Sequence, residues 1–222
     1  MKTSISFENV NFIARQDRTL FHEESGTLFL ADLHLGKGLF FRTNGIPIPD
    51  DIEKSDLNRL FTAIKQTKAR SVWILGDLFH HVSGITSQYL NQLKTEFSIT
   101  NTLCELNLVM GNHDKGGASK ANDLGFQVHA EKALWSRFTL GHHPNRNKEK
   151  KPHICGHLHP RICFSSKIDR LIFPCFAILP DRQLLLPAFT EFSGGPFLSP
   201  LKAICFPITD DGVLLPSTSE PT

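Results

Sequence analysis

The stretch Ser71-Val72-Trp73-Ile74-Leu75-Gly76-Asp77-Leu78-Phe79-His80 decides how the rest of the chain is read. A short apolar run rich in β-branched and aromatic residues marks a strand, and the glycine behind it marks the strand's end. A carboxylate follows at once, and a histidine three residues later. The same arrangement recurs on both sides. Residues 27–31 run into Asp32-Leu33-His34, and residues 106–110 end at Gly111-Asn112-His113-Asp114. Residues 137–141 lead to His142-His143-Pro144, and residues 153–155 to Gly156-His157-Leu158-His159. Strand ends along one sheet edge lie close together in space, so five such loops can aim polar side chains at one point.

Between the first strands lie helical patterns. Asp50 or Asp51 caps one, with Leu57, Leu60, Phe61 and Ile64 on a single face. Residues 86–97 form another, with Leu90, Leu93 and Phe97 inward. The segment 36–49 carries Gly36, Gly38, Gly45, Pro47 and Pro49 and predicts a loop. Residues 5–13 and 18–22 predict an N-terminal hairpin. After a short segment at 119–124 the pattern becomes strands and turns, at 126–130, 161–164, 170–178, 183–186 and 202–208. A first half that alternates strand and helix and a second half that is mostly β fit one α/β domain over residues 1–214. Residues 215–222 read as a frayed tail.

Bulk composition narrows the class. With 40% hydrophobic and 21% charged residues, 222 residues suffice for a globular core. The 24 basic and 22 acidic residues leave a net charge of +2, which neither requires nor excludes a polyanionic partner. Five cysteines without a CxxC pair argue against a disulfide framework or a thiolate zinc site. No apolar run approaches the roughly 18–20 residues that cross a bilayer. Reduced, buried cysteines and a soluble cytoplasmic protein without membrane contact are the expectation. Histidine stands out: of 11, only His22, His129 and His153 lie outside the clusters.

Carboxylate, imidazole and amide oxygen together suit manganese, iron, zinc or nickel. In Asp32-x-His34 and His157-x-His159 an extended backbone would point both side chains the same way, because the strand period is two. The glycine before each cluster permits close backbone approach. One Asp–His pair alone could be a strand-end cap beside a satisfied histidine; five in register make that reading untenable. His81 and His143 read as neighbours of ligands. The run Arg146, Lys148, Lys150 and Lys151, interrupted by Glu149, reads as a solvated loop, and Phe40 and Phe41 as packing.

With these clusters in hand, the sequence resembles the calcineurin-like metallophosphoesterase superfamily, whose pattern is D-x-H, G-D-x-x-[DH], G-N-H-[DE], a lone His and G-H-x-H. The resemblance spans roughly residues 27–160. It implies a four-layer αββα sandwich of two mixed sheets flanked by helices, and two divalent metals bridged by an aspartate. Asp32, His34, Asp77 and His159 would hold the first metal; Asp77, Asn112, His142 and His157 would hold the second. His142 is chosen over His143 because the family's ligand stands two residues before the proline.

A narrower resemblance spans nearly the whole chain. Residues 31–38 (ADLHLGKG), Phe41-Arg42, Gly45, Pro47, Leu186-Pro187-Ala188-Phe189 and Ser193-Gly194-Gly195 look like ligase-associated DNA damage response phosphoesterases. It implies a manganese-dependent phosphodiesterase or endonuclease acting on DNA, in functional association with a DNA ligase, a helicase and an exonuclease. The mechanism expected of such a site is in-line attack by a metal-bridging hydroxide. His113 would protonate the leaving oxygen as general acid, with Asp114 fixing its tautomer. Arg42 could clamp a phosphate and Lys37 could act on it as a point charge. His80 would sit near the site and tune monoester against diester preference. Two rivals remain: a pyrophosphatase of lipid or nucleotide substrates, and a non-catalytic scaffold. Filled ligand positions weigh against the scaffold, and the lack of room for an apolar cap weighs against a lipid substrate.

Overall fold

The computed structural model describes residues 3–47, 51–145, 151–165, 168–195, 197–198 and 203–218. The first sheet has seven strands in chain order: β1 (Thr3–Phe7), β2 (Val10–Ala14), β3 (Leu20–His22), β4 (Thr27–Leu30), β5 (Ser71–Leu75), β6 (Glu105–Val109) and β7 (Phe126–His129). The first four pair antiparallel, and β4 to β7 pair in parallel. The parallel half needs crossovers, and helices supply them. Helices α1 (Lys37–Thr43) and α2 (Asp51–Thr67) lie between β4 and β5, and α3 (Ser87–Leu103) lies between β5 and β6. The short α4 (Ala118–Asp123) precedes β7.

The second sheet is also mixed. Its strands are β8 (Lys132–Trp135), β9 (Phe138–Gly141), β10 (His153–Cys155), β11 (Arg161–Ser165), β12 (Arg170–Leu179), β13 (Gln183–Leu185), β14 (Ile204–Thr209), β15 (Gly212–Val213) and β16 (Ser217–Thr218). The order is β15-β14-β12-β13-β10-β9-β8, with β11 paired to β12 and β16 to β14. Strand β10 runs parallel to both β9 and β13.

Alternation along the strands explains the layers. Leu28 and Leu30 of β4, Val72 and Ile74 of β5, and Leu106 and Leu108 of β6 face outward into the helices, where they meet Leu57, Leu60, Ile64, Leu93 and Phe97. Phe29, Trp73, Leu75 and Val109 face the other way, into a core shared with Phe138, Leu140, Ile154, Phe176, Leu184 and Phe206 of the second sheet. The outer face of the second sheet buries Cys155, Cys175, Ala177, Leu185 and Cys205 under Leu158, Leu198 and Ala203. Four of the five cysteines are buried and Cys163 is half-buried. No helix among the described residues is long and apolar enough to cross a membrane.

Several local expectations change. The N-terminal hairpin is three strands, because Glu8 and Asn9 take φ of 53° and 60° and turn the chain inside the run 5–13. The segment expected as a loop at 36–49 holds helix α1 over Lys37–Thr43. Its glycines do not break it: Gly36 is the left-handed N-cap, and the Gly36 N–H is held by Glu53 of α2 at 2.8 Å. Thr86 caps α3 by accepting from the Tyr89 N–H, and the helix runs on to Leu103. Within the expected tail, Ser217–Thr218 pair with β14. The cap expected at Asp50 lies outside the described residues. So do Arg146, Lys148, Glu149 and Lys150 of the basic run, of which Lys151 is described and exposed.

Candidate metal centre

The five clusters meet where β4, β5 and β6 of one sheet and β9 and β10 of the other present their carboxyl ends. The first sheet places Asp32, His34, Asp77, Asn112 and His113, and the second places His142, His157 and His159. The backbone there is not extended as expected. Asp32 (φ 58°), His34 (53°), Asp77 (53°), His157 (67°) and His159 (47°) are all left-handed. Each such residue costs on the order of 1 kcal/mol, and strain of this kind concentrates at functional sites. The two members of each Asp/His-x-His pair reach one side through left-handed turns at both positions. Backbone hydrogen bonds hold the kinks: Asp32 N–H donates to Gly76 O (3.0 Å), His34 N–H to Asp77 O (2.9 Å) and Leu35 N–H to Leu78 O (2.8 Å).

Glycine is required where these loops touch. Gly76 has φ 86°, and a Cβ there would collide with the His142 ring. A Cβ on Gly111 would collide with the Asp77 carboxylate. The glycine before a cluster therefore makes room for a ligand from a different cluster.

Each aspartate has one oxygen committed and one turned toward imidazoles. Asp77 Oδ1 accepts from the His113 N–H at 3.0 Å, while Oδ2 lies 3.3 Å from His142 Nε2 and 3.9 Å from His34 Nε2. Asp32 Oδ2 accepts from the His157 N–H at 3.0 Å, while the buried Oδ1 has no hydrogen bond. His159 Nε2 stands 3.3 Å and His142 Nδ1 3.8 Å from that oxygen.

Two of the histidines are oriented by backbone carbonyls. His142 Nδ1 pairs with Leu75 O at 3.1 Å, and His159 Nδ1 with Gly194 O at 2.9 Å. Since a carbonyl only accepts, the proton sits on Nδ1 and each Nε2 keeps its lone pair for the site. His142 Nε2 then faces Asn112 Oδ1 at 3.0 Å, His157 Nδ1 at 3.1 Å and Asp77 Oδ2 at 3.3 Å. Such a convergence of acceptors needs a cation or a proton between them.

Charge behaviour agrees. Burial holds the His34 pKa down to about 2, outweighing the pull of Asp77, so its ring is neutral and ready to ligate. Burial would raise Asp77, but the His142 hydrogen bond and charge and the His113 N–H lower it to about 2. Burial also opposes protonation of His142 and His159, yet Asp77 and Asp32 overcome it and raise both. Three groups place ligand atoms within 4.8 Å of one another: Asp32, His34 and His159; Asp32, Asp77 and His142; and His142, His143 and His157. The donor set fits divalent cations.

His113 Nδ1 lies 2.7 Å from the His80 carbonyl. Asp114 does not have the expected tautomer role. Its buried oxygens accept from Phe79 N–H and Gly111 N–H, both at 2.9 Å. It ties the β5 and β6 loops together, and the backbone of His80 orients His113 instead. The His80 ring stacks on His113 (5.4 Å between centroids) and on Phe41 (5.7 Å), and burial lowers its pKa to about 4. Lys37 borders the site: its Nζ donates to Phe192 O at 2.6 Å, and burial and Asp32 act on its pKa in opposite directions, burial prevailing to lower it. Arg42 sits exposed on the last turn of α1, where its charge is felt by Glu53. Phe40 and Phe41 pack on His81, His80 and Phe192.

The segment after β13 is the part that sequence reading could not place. Ala188 bridges Ala31, Phe189 N–H donates to Ala31 O, and Thr190 N–H donates to Asp32 O. Residues 186–195 thus cross from the second sheet to the first and end with the Gly194 carbonyl on His159. Among the sequence signals, Ser193-Gly194-Gly195 pointed there without saying why.

The comparisons agree with this geometry. The family model for calcineurin-like phosphoesterases matches residues 27–163, more than half of the chain. The chain belongs to that family of hydrolases, whose members use divalent metals. Among solved structures it is similar to Pseudomonas putida nuclease MPE, at 25% identity and a TM-score of 0.82, over 98% of this chain and 100% of that one. Weaker likenesses are to a protein of unknown function, AQ665, from Aquifex aeolicus (20% identity, TM-score 0.41, 60% of this chain and 78% of that one) and to Yfce, a phosphoesterase from E. coli (14%, 0.46, 87% and 99%). No curated protein sequence matches.

Proposed function

We propose that this chain is a two-metal phosphodiesterase that cleaves nucleic acid. The observation that carries the reading is the convergence of Asp77 Oδ2, Asn112 Oδ1, His142 Nε2 and His157 Nδ1, with a buried Asp32 Oδ1 that makes no hydrogen bond beside His159. Asp32, His34, Asp77 and His159 would hold one cation, and Asp77, Asn112, His142 and His157 the other. Divalent metals there, manganese in the reading favoured, supply Lewis acidity at a phosphoryl group and lower the pKa of a water.

The chain's own groups do the rest. His113, with Nδ1 on the His80 carbonyl, presents Nε2 as the atom that gives a proton to the leaving oxygen. Lys37 adds positive charge at the mouth, where a phosphate would lie. The likeness to a nuclease over 98% of this chain and all of that one supports a nucleic-acid diester as substrate. A metal-supplemented panel of bis(p-nitrophenyl) phosphate, p-nitrophenyl phosphate, single-stranded DNA and 2′,3′-cyclic nucleotides tests it. Hydrolysis of the diester and of DNA is expected; turnover of the monoester alone would overturn the reading.

A further inference from the structure

The segment 186–195 that crosses between the sheets is held by its amides and by its carbonyls. The amides reach the chain beside the candidate metal centre: Phe189 N–H donates to Ala31 O at 2.8 Å and Thr190 N–H to Asp32 O at 3.2 Å. The carbonyls turn to Arg18, in the turn between β2 and β3. Arg18 Nη1 lies 2.6 Å from Thr190 O, 3.2 Å from Ala188 O and 3.4 Å from Phe189 O. Three successive carbonyl dipoles aimed at one point repel one another unless a cation stands there. Burial, then the Arg59 charge, lower the Arg18 pKa, and the converging carbonyls offset that cost. Arg59 of α2 supports the same segment: it bonds Phe189 O, pairs with Glu191 at 2.5 Å and Asp56 at 2.7 Å, and lies 4.5 Å from the Phe189 ring centroid. Thr190 passes the anchorage on. Its Oγ1 accepts from Phe192 N–H and its carbonyl from Ser193 Oγ, both at 3.3 Å. Gly194 follows, and its carbonyl orients His159 Nδ1 at 2.9 Å.

We propose that Arg18 is a positioning residue for one of the two cations. By gathering the Ala188, Phe189 and Thr190 carbonyls, it sets the segment that holds the Asp32 backbone and the His159 ring. The proposal rests on the two-metal reading above and adds that the two cations depend on different parts of the fold. Asp32 and His159 belong to the set that also includes His34. Of the other set, His142 is oriented elsewhere, by Leu75 O at 3.1 Å. Groups that orient a metal ligand from behind matter to affinity although they never touch the ion. Arg18 also borders a cavity of about 900 Å³, shared with Arg15, Arg59 and Gln66. Water can enter there when the Arg18 side chain is removed, so the carbonyls stay solvated and the fold persists while the segment loosens.

Calorimetric titration of metal-free protein with Mn²⁺ tests the role. Wild-type protein should show two binding events. Arg18→Ala should weaken one of them roughly 10- to 100-fold and leave the other unchanged. The weakened event should be the one that His159→Ala abolishes. Arg18→Lys keeps a cation within reach of the carbonyls and should recover part of the loss. Arg182→Ala removes a different guanidinium contact between the sheets, the one to Glu8 at 3.0 Å, and should leave both events as in the wild type. Metal-free Arg18→Ala should still melt in one cooperative transition. An equal loss at both sites would reduce Arg18 to general stability and overturn the role, as would weakening of the event that His159→Ala spares. Two events in the wild type that Arg18→Ala leaves untouched remove the role alone. Fewer than two events in the wild type remove the two-metal reading, and the role with it.

Discussion

The two sheets contribute unlike chemistry to the edge where they meet. Every oxygen donor of the candidate centre, on Asp32, Asp77 and Asn112, comes from the first sheet, and three of the four imidazoles, His142, His157 and His159, come from the second. The Asp32 and Asp77 carboxylates accept from backbone N–H groups and His142 and His159 are held by backbone carbonyls, and two of these bonds, His157 N–H to Asp32 and His142 to Leu75 O, cross between the sheets. Oxygen donors, two of them anionic, on one wall and mainly imidazoles on the other form a seam suited to a divalent cation. The seam also explains the glycines. Gly76 and Gly111 are where a wall must let a side chain of another loop pass.

The contrast is broken most severely at Asp77, the carboxylate that faces imidazoles from both sheets. Asp77→Asn removes the charge that gathers them. Metal content by mass spectrometry should fall, and diester turnover should fall by more than the factor lost with any proton donor. Full metal retention would show that the oxygens are not the anchor. Next comes His113→Ala, which spares both walls. Metal content should stay at the wild-type value while cleavage of a thymidine dinucleotide drops roughly 10²- to 10⁴-fold.

Removing the cation tests the seam as a structural link. Stripping the metal with a chelator should destabilise the fold by about 3–4 kcal/mol, if metal had been present at 100 to 1,000 times its Kd. The melting temperature should recover on adding metal back, and an unchanged melt would mean that the sheets hold together without it.

The smallest effect belongs to Glu53, which serves neither wall. Burial lifts its pKa to about 7 from an ordinary 4.5, against the Gly36 N–H and Arg42, which lower it. A carboxyl whose folded pKa is raised favours the fold in its neutral form, so that contribution is complete below pH 4.5 and is lost as pH rises toward 7. Discounted for partial exposure, the loss is on the order of 1–2 kcal/mol. Glu53→Gln keeps an acceptor for Gly36 and should abolish it. Melting curves at pH 5 and pH 8 should therefore show a larger drop for the wild type than for the variant.

These regions also differ in how far the sequence disclosed them. Strands β4, β5 and β6 and the clusters behind them were legible because each couples a buried apolar run to a short-range polar signature. Helix α1 was not, because its glycines and the nearby prolines suggest a loop. What makes it helical lies far along the chain, in Glu53, His80, His81 and Phe192. The turn at Glu8-Asn9 was hidden because neither residue is glycine. The pairing of His113 with Asp114 was plausible from adjacency, but the kinked backbone sends Asp114 to the Phe79 and Gly111 amides. Spacing along the chain likewise said nothing of the left-handed backbone at Asp32, His34, His157 and His159, where amides of the first three donate to groups on other loops.

The strap formed by residues 186–195 has a consequence in time. Phe189 and Thr190 belong to no regular strand, yet their amides donate to Ala31 and Asp32 of the opposite sheet, and the Phe189 side chain is fully buried. In deuterated solvent these two amides should exchange on the slow schedule of the core strands rather than the fast one of surface loops. They would act as clocks for how often the sandwich comes apart.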